Sequence, residues 1–164
     1  EFDTVSGRMD VYYDSLASFG QALPVWEPCN EIAADTPLRE KYPLQLANVR
    51  SRFRIHNQFN DAKWIQQYFE PTVELSPSEA QKRGIADGDI VEVFNDRGSF
   101  QVRAVSNESI RPGSIRLAEG STADYMARGN MQSVTNDAMN ERGYGLLQGP
   151  VIPFSDTLVE VRKA

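Results

Sequence analysis

The sequence predicts a mainly β protein with short helices, built around a small closed barrel. This prediction depends on residues 75–117, where short strands and tight turns follow one another closely. Two turn signals, NDRG at residues 95–98 and PG at 112–113, separate runs of apolar residues that alternate with polar ones. Short strands joined in this way favour a barrel over a helical bundle or a doubly wound parallel sheet.

Length and composition exclude several classes of protein. The chain has 164 residues, 40% of them hydrophobic, which suits one folded domain or one domain with an extended arm. Its net charge of −6 argues against a nucleic-acid or anionic-membrane surface, because both require a basic field. Cys29 is the one cysteine, so this chain alone offers no internal disulfide, thiolate zinc site or iron–sulfur cluster. No apolar run reaches the roughly 20 residues that span a bilayer, and we expect no direct membrane insertion.

The first part of the chain predicts a short hairpin followed by an extended arm. Residues 2–13 contain a Ser-Gly turn between two short β-favouring pieces, which indicates a hairpin. Residues 20–43 contain four prolines, and prolines at this density prevent long regular elements. We therefore expect an N-terminal hairpin and proline-rich arm over residues 1–41 and a barrel domain over residues 42–164.

A strand and a dense group of hydrogen-bond donors follow the arm. Leu44 and Leu46 would point to one side of the strand. The strand continues into a polar segment that contains Asn48, Arg50, Ser51, Arg52, Arg54, His56, Asn57 and Gln58. Guanidinium groups make charge-assisted, often bidentate bonds to phosphate oxygens, so the three arginines favour a pyrophosphate or another oxyanion as ligand. The alternative is a solvated loop with surface arginines, which this segment alone does not exclude.

Residues 61–69 predict one or two helical turns before a short strand at 72–75. A broad apolar face would be shared by Trp64, Ile65, Tyr68 and Phe69. We expect this face to pack against the core. The alternative is that its surplus aromatic surface docks onto a neighbouring domain.

A capped helix opens the central unit. Ser76 is suited to cap a helix that begins at Pro77, and Glu79 would complete a reciprocal capping box. Gly84 supplies the left-handed residue that ends the helix.

The strands of the central unit follow this helix. Residues 90–94 carry Val91 and Val93 on the face expected to enter the core. The next strand has a core face made of Phe100, Val102 and Ala104. A third strand is expected at 114–118, and a last one at 157–161 ends the domain.

The central motif resembles a known family. Residues 77–91 have the form PxxAxxxGIxxGDxV, and the NDRG and PG turns come after it. This arrangement resembles the molybdopterin dinucleotide-binding domain of the dimethyl sulfoxide reductase family of molybdenum oxidoreductases. The resemblance implies a double-psi β-barrel of the aspartate decarboxylase-like kind, which is the C-terminal domain of a larger enzyme. Residues 2–13 also resemble the entry to that domain, so we expect a fragment of a longer polypeptide.

The resemblance also implies which residues would contact the cofactor. In the family, Pro-Leu-x-Leu followed by arginine, histidine and a small polar residue lines the dinucleotide pocket, and this form recurs over residues 43–57. Arg50 and Arg54 would act on phosphates. Hydrogen bonds to guanine, ribose or pterin would come from Asn48, Ser51, His56, Asn57 and Gln132, and Ser155 would be a further polar contact. The family usually has Ser or Thr at the place of Asn57 and an asparagine at that of Gln132.

A division of labour between domains is implied as well. The cofactor would be molybdopterin guanine dinucleotide with molybdenum or tungsten, completed by domains absent from this chain. The metal ligand and the substrate funnel would come from preceding domains of the same polypeptide, and an iron–sulfur electron-transfer subunit would be a partner. No residue of this chain is expected to be catalytic or to bind metal, so the isolated domain would be non-catalytic. Relatives take part in anaerobic respiration in the periplasm or at the outer face of the cytoplasmic membrane.

Other functions are compatible with the same fold. A stand-alone double-psi barrel can act as a protein-interaction or substrate-recognition module, but such a module does not need the clustered donors of residues 48–58. An aspartate decarboxylase-like enzyme would need a self-processing Gly-Ser signature, which has no match at the corresponding place. The glycines within residues 138–149 suggest a phosphate loop, but no Lys-Ser or Lys-Thr follows them. Residues 121–123 lack the aromatic pair of relatives close to dimethyl sulfoxide reductase, so the sequence does not identify a substrate.

Overall fold

The computed structural model describes residues 2–140 and 151–164, and these divide into two compact units. The described residues of the first unit are 2–29, 137–140 and 151–153, and the second unit contains Asn30–Asn136 and Phe154–Ala164. The glycines considered for a phosphate loop lie outside the described residues. No helix within the described ranges combines the length and the apolar character needed to cross a bilayer.

The first unit differs from the predicted hairpin. Gly7 has a φ of 67°, and its N–H donates to the Thr4 carbonyl at 3.1 Å, which closes an isolated turn without strands in residues 2–13. A two-stranded hairpin is marginal in water unless it buries an apolar face, and the large apolar side chains of this segment are exposed. A 3-10 helix follows at Asp14–Phe19.

The second unit is a closed barrel of six short strands, as predicted. The strands are β1 Leu44–Val49, β2 Thr72–Leu75, β3 Ile90–Phe94, β4 Ser99–Ser106, β5 Ser114–Ala118 and β6 Leu158–Lys163. The helices are α1 Leu38–Lys41, α2 Lys63–Gln66 and α3 Pro77–Lys82, with 3-10 turns at Ala123–Tyr125 and Met131–Ser133. The strands pair in the closed order β1-β5-β2-β4-β3-β6. The prediction of a mainly β fold with short helices is confirmed.

The strand pairing has an internal two-fold pattern. The parallel pair β1 and β5 corresponds to the parallel pair β4 and β2, and the antiparallel pair β1 and β6 corresponds to β4 and β3. The remaining antiparallel pairs, β2 with β5 and β3 with β6, correspond to themselves. Exchanging β1, β2 and β3 with β4, β5 and β6 therefore leaves the pattern unchanged, and the predicted double-psi barrel is confirmed.

Alternate residues of all six strands fill the barrel core. The fully buried strand residues include Leu44, Leu46, Val73, Leu75, Val91, Val93, Phe100, Val102, Ala104, Ile115, Leu117, Val159 and Val161. The core faces predicted for β3 and β4 are confirmed. Each fully buried side chain of Val, Leu or Phe size contributes about 1.5–3 kcal/mol relative to an exposed one.

The helix that opens the central unit is capped in part as predicted. Ser76 Oγ accepts the Glu79 N–H at 3.3 Å, and the helix ends before Gly84, whose φ is 63°. The reciprocal half of the capping box is wrong. The buried Glu79 carboxylate accepts hydrogen bonds from Lys82 and Arg83 instead, because these cations compensate its charge better than one backbone N–H would.

The helical turn α2 buries less of its apolar face than predicted. Ile65 is buried, but Trp64 is 65% exposed and Tyr68 is 81% exposed. The expectation that the whole face packs against the core is wrong, because α2 is a single turn and directs one apolar side chain inward.

Strand directions decide which loops share an end of the barrel. β1, β3 and β5 run in one direction and β2, β4 and β6 in the other, as the parallel and antiparallel pairings require. The connections that follow β1, β3 and β5 therefore start from the same end, which we call the loop end. They begin at residues 50, 95 and 119.

Candidate functional site

All eight residues predicted to bind a cofactor belong to strands or connections at the loop end. Asn48 is in the last part of β1, and the connection that follows contains Arg50, Ser51, Arg54, His56 and Asn57. Gln132 and Ser155 lie in the connection between β5 and β6. The barrel topology therefore directs two segments distant in sequence to one end.

A tight corner after β5 supports the segment after β1. Gly120 has a φ of 74°, and a Cβ on it would overlap the carbonyl group of His56 and lie 2.7 Å from the Asn57 nitrogen. Only glycine allows this approach of the two backbones. Glu119 N–H donates to the Val49 carbonyl at 2.8 Å, so the corner begins where the parallel pairing of β1 and β5 ends.

Arg54 fastens its loop to this corner. One terminal nitrogen donates to Asn60 Oδ1, and the other donates to Ser121 Oγ at 2.7 Å and to the Glu119 carbonyl at 3.3 Å. The amide of buried Asn60 donates in turn to the Gly120 carbonyl at 2.7 Å. Burial lowers the pKa of the Arg54 guanidinium, which nevertheless keeps its charge because an arginine pKa lies so high. Its Nε is buried and has no hydrogen-bond partner.

Arg50, His56 and Glu119 form a second, more exposed group. His56 Nδ1 lies 3.3 Å from Glu119 Oε1, and Arg50 Nη1 lies 3.4 Å from His56 Nε2 and 3.7 Å from Glu119 Oε1. The side chains of Arg50 and His56 are 73% and 59% exposed, whereas that of Glu119 is 21% exposed. The guanidinium and the imidazole are therefore accessible to a ligand, and the carboxylate lies beneath them.

The remaining polar side chains of this segment have different surroundings. Asn48 Oδ1 is buried without a hydrogen-bond partner, so β1 ends in an unsatisfied acceptor. Ser51 Oγ accepts the Phe53 N–H at 3.1 Å and shapes the loop locally. Asn57 is exposed.

Gln132 and Ser155 are separate from this cluster. Gln132 is exposed in the turn Met131–Ser133, which packs on the hairpin between β3 and β4, since a Cβ on Gly98 would lie 2.8 Å from the Ser133 carbonyl oxygen. Ser155 is exposed just before β6. In the part of the chain that the structure describes, neither side chain forms a hydrogen bond or ion pair with residues 48–57.

The residues that organise the site were not predicted from the sequence. Asn60 and Ser121 accept hydrogen bonds from Arg54 that hold the loop after β1, and Glu119 Oε1 lies 3.3 Å from His56 Nδ1. One signal was available, because Gly120 lies two residues beyond the end of a predicted strand and a glycine there indicates a tight turn or a close backbone approach. Nothing local indicates that the approaching segment is the one that contains His56.

A small pocket lies beside the hairpin between β3 and β4, and none of residues 48–60 lines it. It is lined by Glu31, Leu38, Tyr42, Asn95, Asp96, Arg97 and Leu158. Its charged groups bond with one another: Arg97 pairs with Glu31, and hydrogen bonds from Lys41 and Tyr42 lower the pKa of Asp96. The pocket therefore marks where residues 31–42 are fastened to the barrel.

Comparisons with known proteins identify the family of the domain. The sequence model of the family described as "Molydopterin dinucleotide binding domain" matches residues 44–145. A putative catalytic subunit of dimethyl sulfoxide reductase from Halobacterium salinarum is 34% identical, in an alignment covering 100% of this chain and 20% of that protein. Dimethyl sulfoxide reductase DmsA of Escherichia coli is 31% identical, with 98% of this chain and 21% of that protein covered. The chain thus spans about a fifth of the length of these relatives.

A solved structure has the same fold. Acetylene hydratase from Pelobacter acetylenicus superposes with a TM-score of 0.75 at 20% identity, over 98% of this chain and 24% of that one. At this identity the likeness concerns the fold of the domain alone.

Proposed function

Because the chain belongs to the molybdopterin dinucleotide-binding domain family, we propose that it forms the cofactor-binding domain of a dimethyl sulfoxide reductase-type molybdenum oxidoreductase. The residues proposed to contact the cofactor are those predicted from the sequence: Asn48, Arg50, Ser51, Arg54, His56, Asn57, Gln132 and Ser155. The observation that carries this assignment is the exposed pair of Arg50 and His56, held above Glu119 at the carboxyl end of β1.

The side chains in this segment fit a nucleotide with a pyrophosphate. Arg50 is an accessible cation, and its planar guanidinium suits two phosphate oxygens at once. Arg54 adds a second positive charge beneath the loop and retains one buried N–H without a partner. His56 and Asn57 offer further exposed polar groups that a ribose or a pterin could meet.

Asn48 is the residue that we propose contacts guanine. Its buried Oδ1 lacks a hydrogen-bond partner, and such an acceptor is costly unless a ligand or water satisfies it. An amide group matches the adjacent carbonyl acceptor and ring N–H donor of guanine. The guanine form of the dinucleotide is thus a proposal that follows from this acceptor.

The redox chemistry would belong to the cofactor. When bound, its metal, molybdenum or tungsten, supplies the electron transfer, and this chain binds and orients the nucleotide part. We propose that preceding domains of the same polypeptide complete the site, that an iron–sulfur protein passes the electrons, and that the enzyme acts in the periplasm or at the outer face of the cytoplasmic membrane.

Replacing Arg50 tests this function. In the full-length protein that contains the chain, Arg50→Ala removes an exposed guanidinium that is proposed to bind phosphate. The variant should therefore contain less bound molybdenum or tungsten and release less guanine nucleotide. Both are measured on the purified protein, by elemental analysis and by chromatography of the nucleotide. The control is Arg111→Ala, which removes the same charge from an exposed residue between β4 and β5, at the other end of the barrel. Equal occupancy in the two variants would contradict the role of Arg50.

A further inference from the structure

Glu119 has an unusual position in the loop-end cluster. Its Oε1 is buried and accepts no hydrogen bond of good geometry, yet it lies within 3.3 Å of His56 Nδ1 and 3.7 Å of Arg50 Nη1. A carboxylate oxygen removed from water is destabilising unless positive charge or a polarised N–H compensates it. Those two groups are the compensation that the structure provides.

The chemistry of these three groups favours one location for the imidazole proton. A carboxylate can only accept, so Glu119 favours the form in which the nearer ring nitrogen, Nδ1, carries the hydrogen. A guanidinium can only donate, so the ring nitrogen facing Arg50 must present its lone pair. Both conditions are met by the neutral imidazole that is protonated at Nδ1. In the opposite tautomer the Nδ1 lone pair would face the carboxylate of Glu119, and the Nε2–H would face an N–H of Arg50.

We propose that Glu119 is a positioning residue, which holds His56 as the neutral, Nδ1-protonated imidazole and through it orients Arg50. The proposal rests on the proposed function of the loop end and names the residue that prepares it. In this proposal the half-buried Glu119 carboxylate contacts neither phosphate nor base. Its effect on a bound nucleotide passes through His56 and Arg50.

The backbone supports this arrangement. His56 has a φ of 51°, which is uncommon for a residue other than glycine, and its carbonyl group is in close contact with Gly120. The imidazole is therefore attached to a segment whose place is set by the corner that also carries Glu119. Of two neighbouring residues in this corner, Gly120 thus contacts the backbone of His56 and Glu119 contacts its side chain.

The tautomer can be measured directly, because His56 is the sole histidine of the chain. Two-bond ¹H–¹⁵N correlation spectra of the labelled 164-residue chain distinguish the two tautomers. We expect the Nδ1-protonated form to predominate in the unaltered protein. Predominance of the Nε2-protonated form would overturn the proposal, and this measurement requires no variant.

Variants of Glu119 distinguish a positioning role of this residue from a general contribution to the stability of the protein. Glu119→Leu should make the Nδ1-protonated form the minor one, whereas Glu119→Gln, which keeps a side-chain acceptor, should retain it. Glu108→Leu removes an exposed carboxylate beyond β4 and should leave the spectrum unchanged. An unchanged tautomer in a folded Glu119→Leu protein would contradict the proposal.

Titration with GDP provides the functional readout. We expect Glu119→Leu to bind GDP about two- to tenfold more weakly than the unaltered chain, the value of one typical hydrogen bond, and Glu119→Gln to restore most of the affinity. If the Nδ1 tautomer is present but GDP does not bind, the proposed function fails and the tautomer assignment stands. If GDP binds equally well to all variants, the positioning role of Glu119 is wrong.

Discussion

Arg50 and Arg54 are chemically identical, but their surroundings give them different tasks. The terminal nitrogens of Arg54 are bonded to Asn60, Ser121 and the Glu119 carbonyl, whereas the Arg50 side chain is largely exposed. The first arginine therefore builds the loop, and the second is available to an anion. This difference depends on tertiary partners, because Ser121 lies 67 positions beyond Arg54 in the chain.

Residue chemistry explains how far the site could be predicted. The concentration of donors around Arg50 and His56 is visible in the sequence, since it requires only the inventory of side chains. Which arginine points inward is not visible, and neither is the ion-pair contact with Glu119. Those facts depend on the pairing of β1 with β5, which sets the two connections side by side.

Gly120 allows a sharp test of the corner. Gly120→Ala should destabilise the protein by about 3 kcal/mol or more, because the new methyl group would overlap the carbonyl of His56 at a positive φ. The matched control is Gly113→Ala, where φ is 82° and no atom lies within 4 Å of the added Cβ. That variant carries only the left-handed strain of about 1–2 kcal/mol. Urea unfolding of both proteins measures the difference, and equal losses would contradict the close approach.

At the level of secondary structure, elements with local start and stop signals were predicted well. β3 and β5 begin and end as expected, because a tight turn bounds each of them. β6 was expected at 157–161 and runs over Leu158–Lys163, since its end is set by pairing with β3. The prediction of an N-terminal hairpin is wrong because a turn signal alone does not form strands. Its turn forms, but no apolar partner surface turns the flanking residues into strands.

The helix α3 contributes stability that depends on pH. Burial alone would raise the pKa of Glu79, but hydrogen bonds and ion pairs with Lys82 and Arg83 outweigh burial and lower it from 4.5. A carboxyl whose pKa is lower in the folded state stabilises the fold above the pKa of the unfolded chain. That contribution is lost as pH falls below about 4.5 through the folded-state pKa. Arg83 also pairs with Glu160 at 2.6 Å, so the helix is fastened to β6 by the same network.

Glu79→Gln should therefore reduce stability at pH 7 but not at low pH. At neutral pH we expect its melting temperature to lie several degrees below that of the unaltered protein, since each kcal/mol of unfolding free energy shifts the melting temperature of a chain of this size by about 2–4 °C. This difference in melting temperature should narrow as pH falls from 5 toward 3. Calorimetry across this range measures the gap. Glu108→Gln, at an exposed residue, is the control and should show no such narrowing. A gap that stays constant with pH would contradict the assigned role of the Glu79 carboxylate.

At the scale of the whole molecule, the barrel topology creates the site. The parallel pairing of β1 with β5 joins residues about 70 positions apart, and no local pattern indicates such a pairing. From residues alone, the sequence predicted a closed barrel; the double-psi arrangement came from the resemblance to the family. Once strand order is known, the shared end of the connections after β1, β3 and β5 follows without further information.

The boundary of the barrel domain, predicted at residue 42, remains a prediction. Residues 30–41 make several bonds within the barrel unit: the Asp156 carboxylate accepts the N–H groups of Asn30, Glu31 and Ile32 at 2.8–3.1 Å. Glu31 also pairs with Arg97 and accepts the Leu158 N–H at 3.2 Å. Asp156 is 7% exposed, so removing its donors would leave a buried carboxylate without those partners.

Truncation distinguishes a boundary at 30 from one at 42. We expect a chain of residues 42–164 to melt at least about 5 °C below a chain of residues 30–164, the equivalent of about 2 kcal/mol. The Asp156→Ala substitution tests whether the bonds to Asp156 cause this difference. It should lower the melting temperature of the longer chain markedly. It should lower that of the shorter chain little, because the shorter chain already lacks the N–H groups that Asp156 accepts. Equal melting temperatures of the two truncated chains would support the boundary at residue 42, and would show that the bonds to Asp156 contribute no net stability to the barrel.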